Sequence, residues 1–178
     1  MNDWGASVYG DPCRECGYNW NLSLTNAISL VSHLPTAYGG LLTGRSGNEQ
    51  HPELNWSVSE YVTHVADNLR IWAERLMGVL RGASPLVGSY DENLLAKARN
   101  YRQIPVEAAM WSLTRSVDDW LAATEASATS GVVVIHPERG EMTLSDVVLS
   151  NAHDAIHHQW DIARTLQDLD GSSAPQPG

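Results

Sequence analysis

Three histidines carry the clearest chemical potential in this chain, and two of them lie one helical turn apart. In the run Asn151-Ala152-His153-Asp154-Ala155-Ile156-His157-His158, the first and second histidines are four residues apart. At the helical advance per residue they sit about 40° from one another on a helix surface. Two imidazoles so placed can grip one transition-metal ion. By the same angles Leu149, Ile156 and Trp160 fall on the side facing the core, and His158 points about 100° away from His157, which makes it a weaker ligand candidate. A third imidazole, His64, stands beside Val65 at the edge of an apolar stripe. Three neutral imidazoles from two helices would leave coordination positions open for water or substrate, as catalytic ions require. Each histidine also has an ordinary reading, as an exposed helix residue or a satisfied core group.

A second constellation is Cys13-Arg14-Glu15-Cys16-Gly17. It has the form of one zinc knuckle, the glycine permitting a tight turn behind the second thiolate. A site of cysteines alone needs a second such pair, and the chain has only these two cysteines. Three readings stay open: a second metal shared with a histidine such as His51 or His136, a cap over the three-histidine metal, or a CxxC redox couple. Inert thiols are the plain alternative.

These groups must be positioned by elements that the apolar pattern supplies. The chain is 178 residues long and 43% hydrophobic, enough for one packed domain. Four segments show helical periodicity. The first spans about Asn21 to Leu42, with Leu24, Ile28, Val31, Leu34, Tyr38 and Leu41 on one side and a break or kink expected at Pro35. The second, Ser57 to Leu80, opens with Ser57 and Glu60 spaced as a capping box and carries Val58, Val62, Val65, Leu69, Trp72, Leu76 and Leu80. A long polar link follows, with a short helix around Asn93–Asn100. The third begins at Pro105, a favoured first helical position, and runs through Val106, Met110, Leu113, Val117 and Trp120. Residues 131–143 read as a strand, a turn and a return strand. The last helix starts near Thr143 or Ser145 and reaches Leu169. The expected architecture is an all-α four-helix bundle with a small β-hairpin before the last helix. Residues 1–20 form an N-terminal segment that wraps onto the bundle of residues 21–169, and residues 170–178 form a tail disordered by composition.

Charge narrows the partners. Eleven Lys and Arg stand against 21 Asp and Glu, a formal net charge of −10. With no basic stripe, a nucleic-acid partner and an anionic membrane surface are both excluded. No apolar run is long enough to span a bilayer, and residues 1–12 lack the basic and apolar regions of a signal peptide. The expected location is the cytoplasm, with a small molecule as partner and a homodimer as an open alternative to a monomer.

Trp56-x-x-x-Glu60-Tyr61-x-x-His64, together with His153-Asp154-x-x-His157-His158, resembles the DinB-like superfamily of metal-binding four-helix bundles. That superfamily includes thiol-dependent transferases and mycothiol-dependent maleylpyruvate isomerases, and the likeness covers roughly Asn21 to Leu169. The resemblance implies an up-down-down-up bundle in which His64, His153 and His157 hold a divalent ion, Zn foremost and Ni or Fe as alternatives. It further implies a low-molecular-weight thiol cosubstrate such as mycothiol, with thiol transfer, isomerisation or hydrolysis as the reaction. Arg70, Arg75, Arg102, Arg115 and Arg164 are the cations that could meet a carboxylate. Asp67 and Asp154 have two readings, as supports that orient a ligand imidazole or as exposed helix charges. The Cys13–Cys16 pair departs from the family pattern and puts an open fourth position in doubt. The competing reading is a non-catalytic metal-binding or small-molecule-binding bundle, redox-responsive through those cysteines.

Overall fold

The computed structural model describes residues 4–171. Four long helical layers, one of them broken, carry the expected bundle. The first layer is split into α2 (Leu24–Ser32) and α3 (Leu34–Leu42), after a single-turn α1 (Ala6–Tyr9). The split follows from Pro35, which has no N–H to donate back to Val31 and so cannot continue the ladder of α2. His33 serves as C-cap of one helix and N-cap of the next, its backbone N–H donating to Ser29 and Leu30 and its carbonyl accepting from Ala37. The break also resets the buried face: Leu34, Tyr38 and Leu42 are buried beyond it, so Leu42 takes the core position expected of Leu41.

The second layer is α4 (Val58–Leu80), and its capping box is present in full, Ser57 accepting from the Glu60 amide while Glu60 accepts from the Ser57 amide. Val58, Val62, Val65, Leu69, Trp72 and Leu76 are all buried, as the periodicity requires. In the link that follows lie α5 (Glu92–Ala98) and a 3₁₀ turn at Tyr101–Gln103. Their role is visible at Asp67, which is 2% exposed and accepts from Arg99, Tyr101 and Arg70. Asp67 thus anchors the link to α4 rather than orienting His64.

The third layer, α6 (Val106–Ser127), begins one residue later than expected, with Pro105 as its N-cap in extended conformation. The hairpin pairs β1 (Val133–His136) with β2 (Gly140–Thr143) in antiparallel register, Val133 opposite Thr143 and His136 opposite Gly140. Thr143 then caps α7 (Leu144–Leu169) through a second capping box with Asp146.

Cross-layer contacts fix the direction of each helix. Ser59, in the first turn of α4, donates to the carbonyl of Ile104, just before α6, at 2.7 Å, so those two helices start at the same end. Gly47 stands where they converge. Its φ of +82° suits glycine, and a Cβ there would meet Val106 Cβ at 2.7 Å. Glu53, ahead of α4, pairs with Arg164 late in α7, and Trp120, late in α6, donates to Asn151, early in α7. Arg45, past the end of α3, pairs with Asp170 at the end of α7. The order is therefore up-down-down-up.

Trp120, Tyr38, Leu69, Leu76, Leu113 and Ile162 form the fully buried centre. On α7 the core side is made by Val148, Ala152, Ala155, Ile162 and Leu166, while Leu149, Ile156 and Trp160 are only half-buried. Small residues win here because they admit close neighbours: the Tyr38 hydroxyl reaches the Ala155 carbonyl at 2.7 Å. No described helix is long and apolar enough to cross a membrane. Residues 172–178 of the expected tail lie outside the described residues.

Candidate metal centre

The face of α7 opposite its alanines carries four potential ligands in two interleaved pairs, each one turn apart: His153 with His157, and Asp154 with His158. Consecutive residues are about 100° apart, so the two pairs look in different directions. The structure distributes the three sequence-expected histidines accordingly. His153 and His157 converge with Cys13 and Cys16, whereas His64 converges with Asp154 and His158. Within each group one ligand atom per residue lies within 4.8 Å of all the others.

The His64 group is built across the seam between α4 and α7. His64 Nε2 lies 3.6 Å from Asp154 Oδ1, and His158 Nε2 lies 3.7 Å from the same oxygen. Asn68, one turn beyond His64, donates to the other oxygen, Asp154 Oδ2, at 2.9 Å and accepts at its own carbonyl from the Tyr90 hydroxyl at 3.1 Å. His158 Nδ1 is held by Asp161 Oδ2 at 2.9 Å. Such an outer carboxylate fixes the tautomer so that the opposite nitrogen presents its lone pair. Burial opposes ionisation of Asp154, yet His64, His158 and the Asn68 amide outweigh it and hold the carboxyl well below the usual carboxylate range. Burial likewise pulls His158 down, but the Asp161 hydrogen bond and the Asp154 charge prevail and raise it. Trp56 covers His64, ring centroids 4.9 Å apart, and shields it from bulk water. Two imidazoles and one carboxylate are a donor set that zinc and iron both accept with positions left over. The fit is good.

The second group joins the N-terminal segment to α7. Cys13 is 3% exposed, and its Sγ lies 3.9 Å from His157 Nδ1. Both cysteines are free thiols. Burial first, aided by the neighbouring Cys13, pushes the Cys16 thiol up to about 12, against the pull of the Tyr18 amide. His153 is packed by the rings of Tyr9 and Trp20, each 4.5 Å away between centroids, and its Nε2 is buried without a hydrogen-bond partner. Burial and the adjacent His157 lower its pKa to about 4, which keeps the ring neutral. The other partners foreseen for the cysteines are engaged elsewhere: His51 pairs with Asp168 at 2.7 Å, and His136 Nδ1 accepts the Glu138 and Arg139 amides.

Both groups border a single cavity of about 330 Å³, which His64, His153, Asp154, His157 and His158 all line. Of the five arginines named from sequence, Arg75 alone lines it; Arg70, Arg115 and Arg164 pair with Glu74, Asp118 and Glu53. Arg75 lies over the Trp72 ring at 4.6 Å and donates to the Gly88 carbonyl. A second cavity cation, Arg139, escaped the sequence reading. It comes from the hairpin turn and donates to Ser150 Oγ at 2.7 Å.

A model of the DinB superfamily matches residues 38–162, well over half of the chain. The chain belongs to the DinB superfamily. Among solved structures, this DinB-superfamily protein is similar to YfiT from Bacillus subtilis, described as a probable metal-dependent hydrolase with an unusual four-helix bundle topology. The TM-score is 0.71 at 17% identity, over 86% of this chain and 92% of that one, a likeness of fold. No curated protein matches the sequence. The DinB match begins at residue 38, so the Cys13–Cys16 knuckle and α1 lie outside it.

Proposed function

We propose that this protein is a metal-dependent enzyme whose divalent ion, Zn foremost, is held by His64, Asp154 and His158 at the wall of the cavity. The observation that carries the reading is the joint placement of those three ligand atoms and two arginines around one cavity. A divalent ion held there supplies Lewis acidity, lowering the pKa of a thiol or water that meets it. Low-molecular-weight thiols are the cosubstrate class that the superfamily resemblance favours, and thiol transfer or isomerisation is the reaction; hydrolysis uses the same donors with water in place of thiol.

The chain's own groups do the positioning. Asp161 orients His158, and Asn68 with Tyr90 orients Asp154. Arg75 and Arg139 offer charge-assisted hydrogen bonds to an anionic group of the substrate. The Tyr9 phenol also lines the cavity and is kept protonated by burial and by the charge of Asp154, which makes it a hydrogen-bond donor there. The unpaired thiols of Cys13 and Cys16 suit a reducing cytoplasm.

The test combines metal analysis with activity. Purified protein is screened with low-molecular-weight thiols against carboxylate-bearing electrophiles, and with esters for hydrolysis. Activity and one metal equivalent should be lost in Asp154→Ala and in His158→Ala. If those variants keep full activity while His153→Ala/His157→Ala is dead, the working ion belongs to the trio His64, His153 and His157 instead.

A further inference from the structure

We propose that Cys13, Cys16, His153 and His157 form a closed Cys₂His₂ zinc site that clips the N-terminal segment onto α7. It is independent of the ion assigned to the cavity. Four donors of borderline and soft character, all within 4.8 Å of each other, are the composition of a structural zinc site rather than a catalytic one. Zn–S and Zn–N bond lengths imply tetrahedral edges of about 3.3–3.8 Å. The 3.9 Å between Cys13 Sγ and His157 Nδ1 is already near that value.

Three local features prepare the site. First, the loop is folded as a knuckle. The Gly17 N–H donates to the Cys13 carbonyl at 3.0 Å, the Cys13 N–H donates to the Tyr18 carbonyl at 2.8 Å, and Gly17 has φ +72°. That turn sets both sulfurs on one side. Second, His157 is oriented from outside: its Nε2 faces Glu15 Oε2 at 3.3 Å, leaving Nδ1 toward Cys13. A carboxylate on the far nitrogen is the usual support for a zinc-bound imidazole. Third, His153 Nε2 is a buried polar atom with nothing to bond in the chain. Leaving it so costs the full desolvation penalty, and a ligated ion removes the deficit.

The chemistry balances. Each thiol releases its proton to solvent on binding, so Zn²⁺, two thiolates and two neutral imidazoles sum to zero charge in a buried place. What the clip provides is also clear from the surrounding structure. The single-turn α1 buries no residue of its own, yet Tyr9 at its end forms part of the cavity wall. A staple of metal–ligand bonds supplies the order that so short a helix cannot supply for itself.

The experiment uses the full-length protein loaded with Co²⁺ in place of Zn²⁺. Thiolate ligation gives a near-ultraviolet sulfur-to-cobalt charge-transfer band that nitrogen and oxygen ligands do not give. We expect the band in wild type and in His64→Ala/His158→Ala, and its loss in Cys13→Ser/Cys16→Ser, with zinc content of the last falling by one equivalent. Iodoacetamide labelling of the wild-type cysteines should be slow with zinc bound and fast after chelation. No band in wild type, or labelling equally fast in both states, would overturn the site without recourse to any variant. A Cys13–Cys16 disulfide in protein isolated anaerobically would overturn it too, in favour of a redox pair. Failure of the cavity assignment alone would leave the band untouched.

Discussion

Across the seam between α4 and α7, Asn68 Nδ2 donates to Asp154 Oδ2 at 2.9 Å, so that the second carboxylate oxygen, Oδ1, is the one turned toward His64. The amide cannot flip freely, because its carbonyl is held by the Tyr90 hydroxyl. One hydrogen bond from one helix thereby sets the aim of a carboxylate on another. Removing it in Asn68→Ala should weaken the cavity ion by about 10–100-fold while leaving helicity intact. Competition with a chromogenic chelator measures this, and an unchanged affinity would show that Asp154 needs no such support.

The two arginines of the cavity predict a preference for anions. Against a carboxylate-bearing substrate, Arg139→Ala should raise KM about tenfold or more with a smaller change in kcat, since a charge-assisted hydrogen bond is worth about 1.5–3 kcal/mol. The comparison to make is with the neutral amide analogue. Equal losses for the acid and the amide would mean that Arg139 acts through Ser150 and the hairpin, not on the substrate.

Trp120 tests the core. It is fully buried, and its Nε1 donates to Asn151 Oδ1 at 2.9 Å. Trp120→Ala should cost about 3–5 kcal/mol in urea unfolding, from lost transfer energy and the cavity left behind. Trp120→Phe keeps most of the apolar area but strands the Asn151 oxygen, for about 1–3 kcal/mol. The Nδ2 of Asn151 already has no partner, so a wholly unpaired amide would result.

Acid sensitivity has an identifiable source in His136. Burial, then the charges of Arg139 and Arg75, depress its pKa below the ordinary imidazole value. A histidine depressed in the fold binds more protons when unfolded, so its share of stability is complete above about pH 6.5 and is lost as the pH falls below that value. Protonation would also end the acceptor role of Nδ1 toward the Glu138 and Arg139 amides. Between pH 7.5 and 5, the melting temperature of His136→Gln should fall less steeply than that of wild type. Parallel slopes would remove His136 from the account.

How much of this was legible beforehand depended on whether a feature is local. The capping box at Ser57 and Glu60, the stripe of α4 and the break at Pro35 are written within a few consecutive residues, and each is found in the fold. The face of α7 was read less well. Apolar bulk points to Leu149 and Trp160 as core, whereas Ala152 and Ala155 hold that side because Tyr38 and its neighbours need room. The site shares that difficulty. His153/His157 and Asp154/His158 have the same spacing, and periodicity cannot choose between them. Which pair comes to face His64 rests on the rotation of α7 about its axis, set by contacts such as Tyr38 with Ala155 and Trp120 with Asn151, which link residues far apart in sequence. Arg139 was missed for a similar reason, since a turn residue reaches the cavity only once the hairpin is docked against α7.

Residues 4–23 reach the core through Cys13 and Tyr18, and Tyr9 lines one side of the cavity. The DinB match covers none of it. The part of the cavity lining supplied by Tyr9 thus lies ahead of the stretch that carries the superfamily match. Substitutions at Tyr9 are therefore expected to reshape the cavity from the N-terminal side, with Trp120, Leu113 and Leu69 left undisturbed.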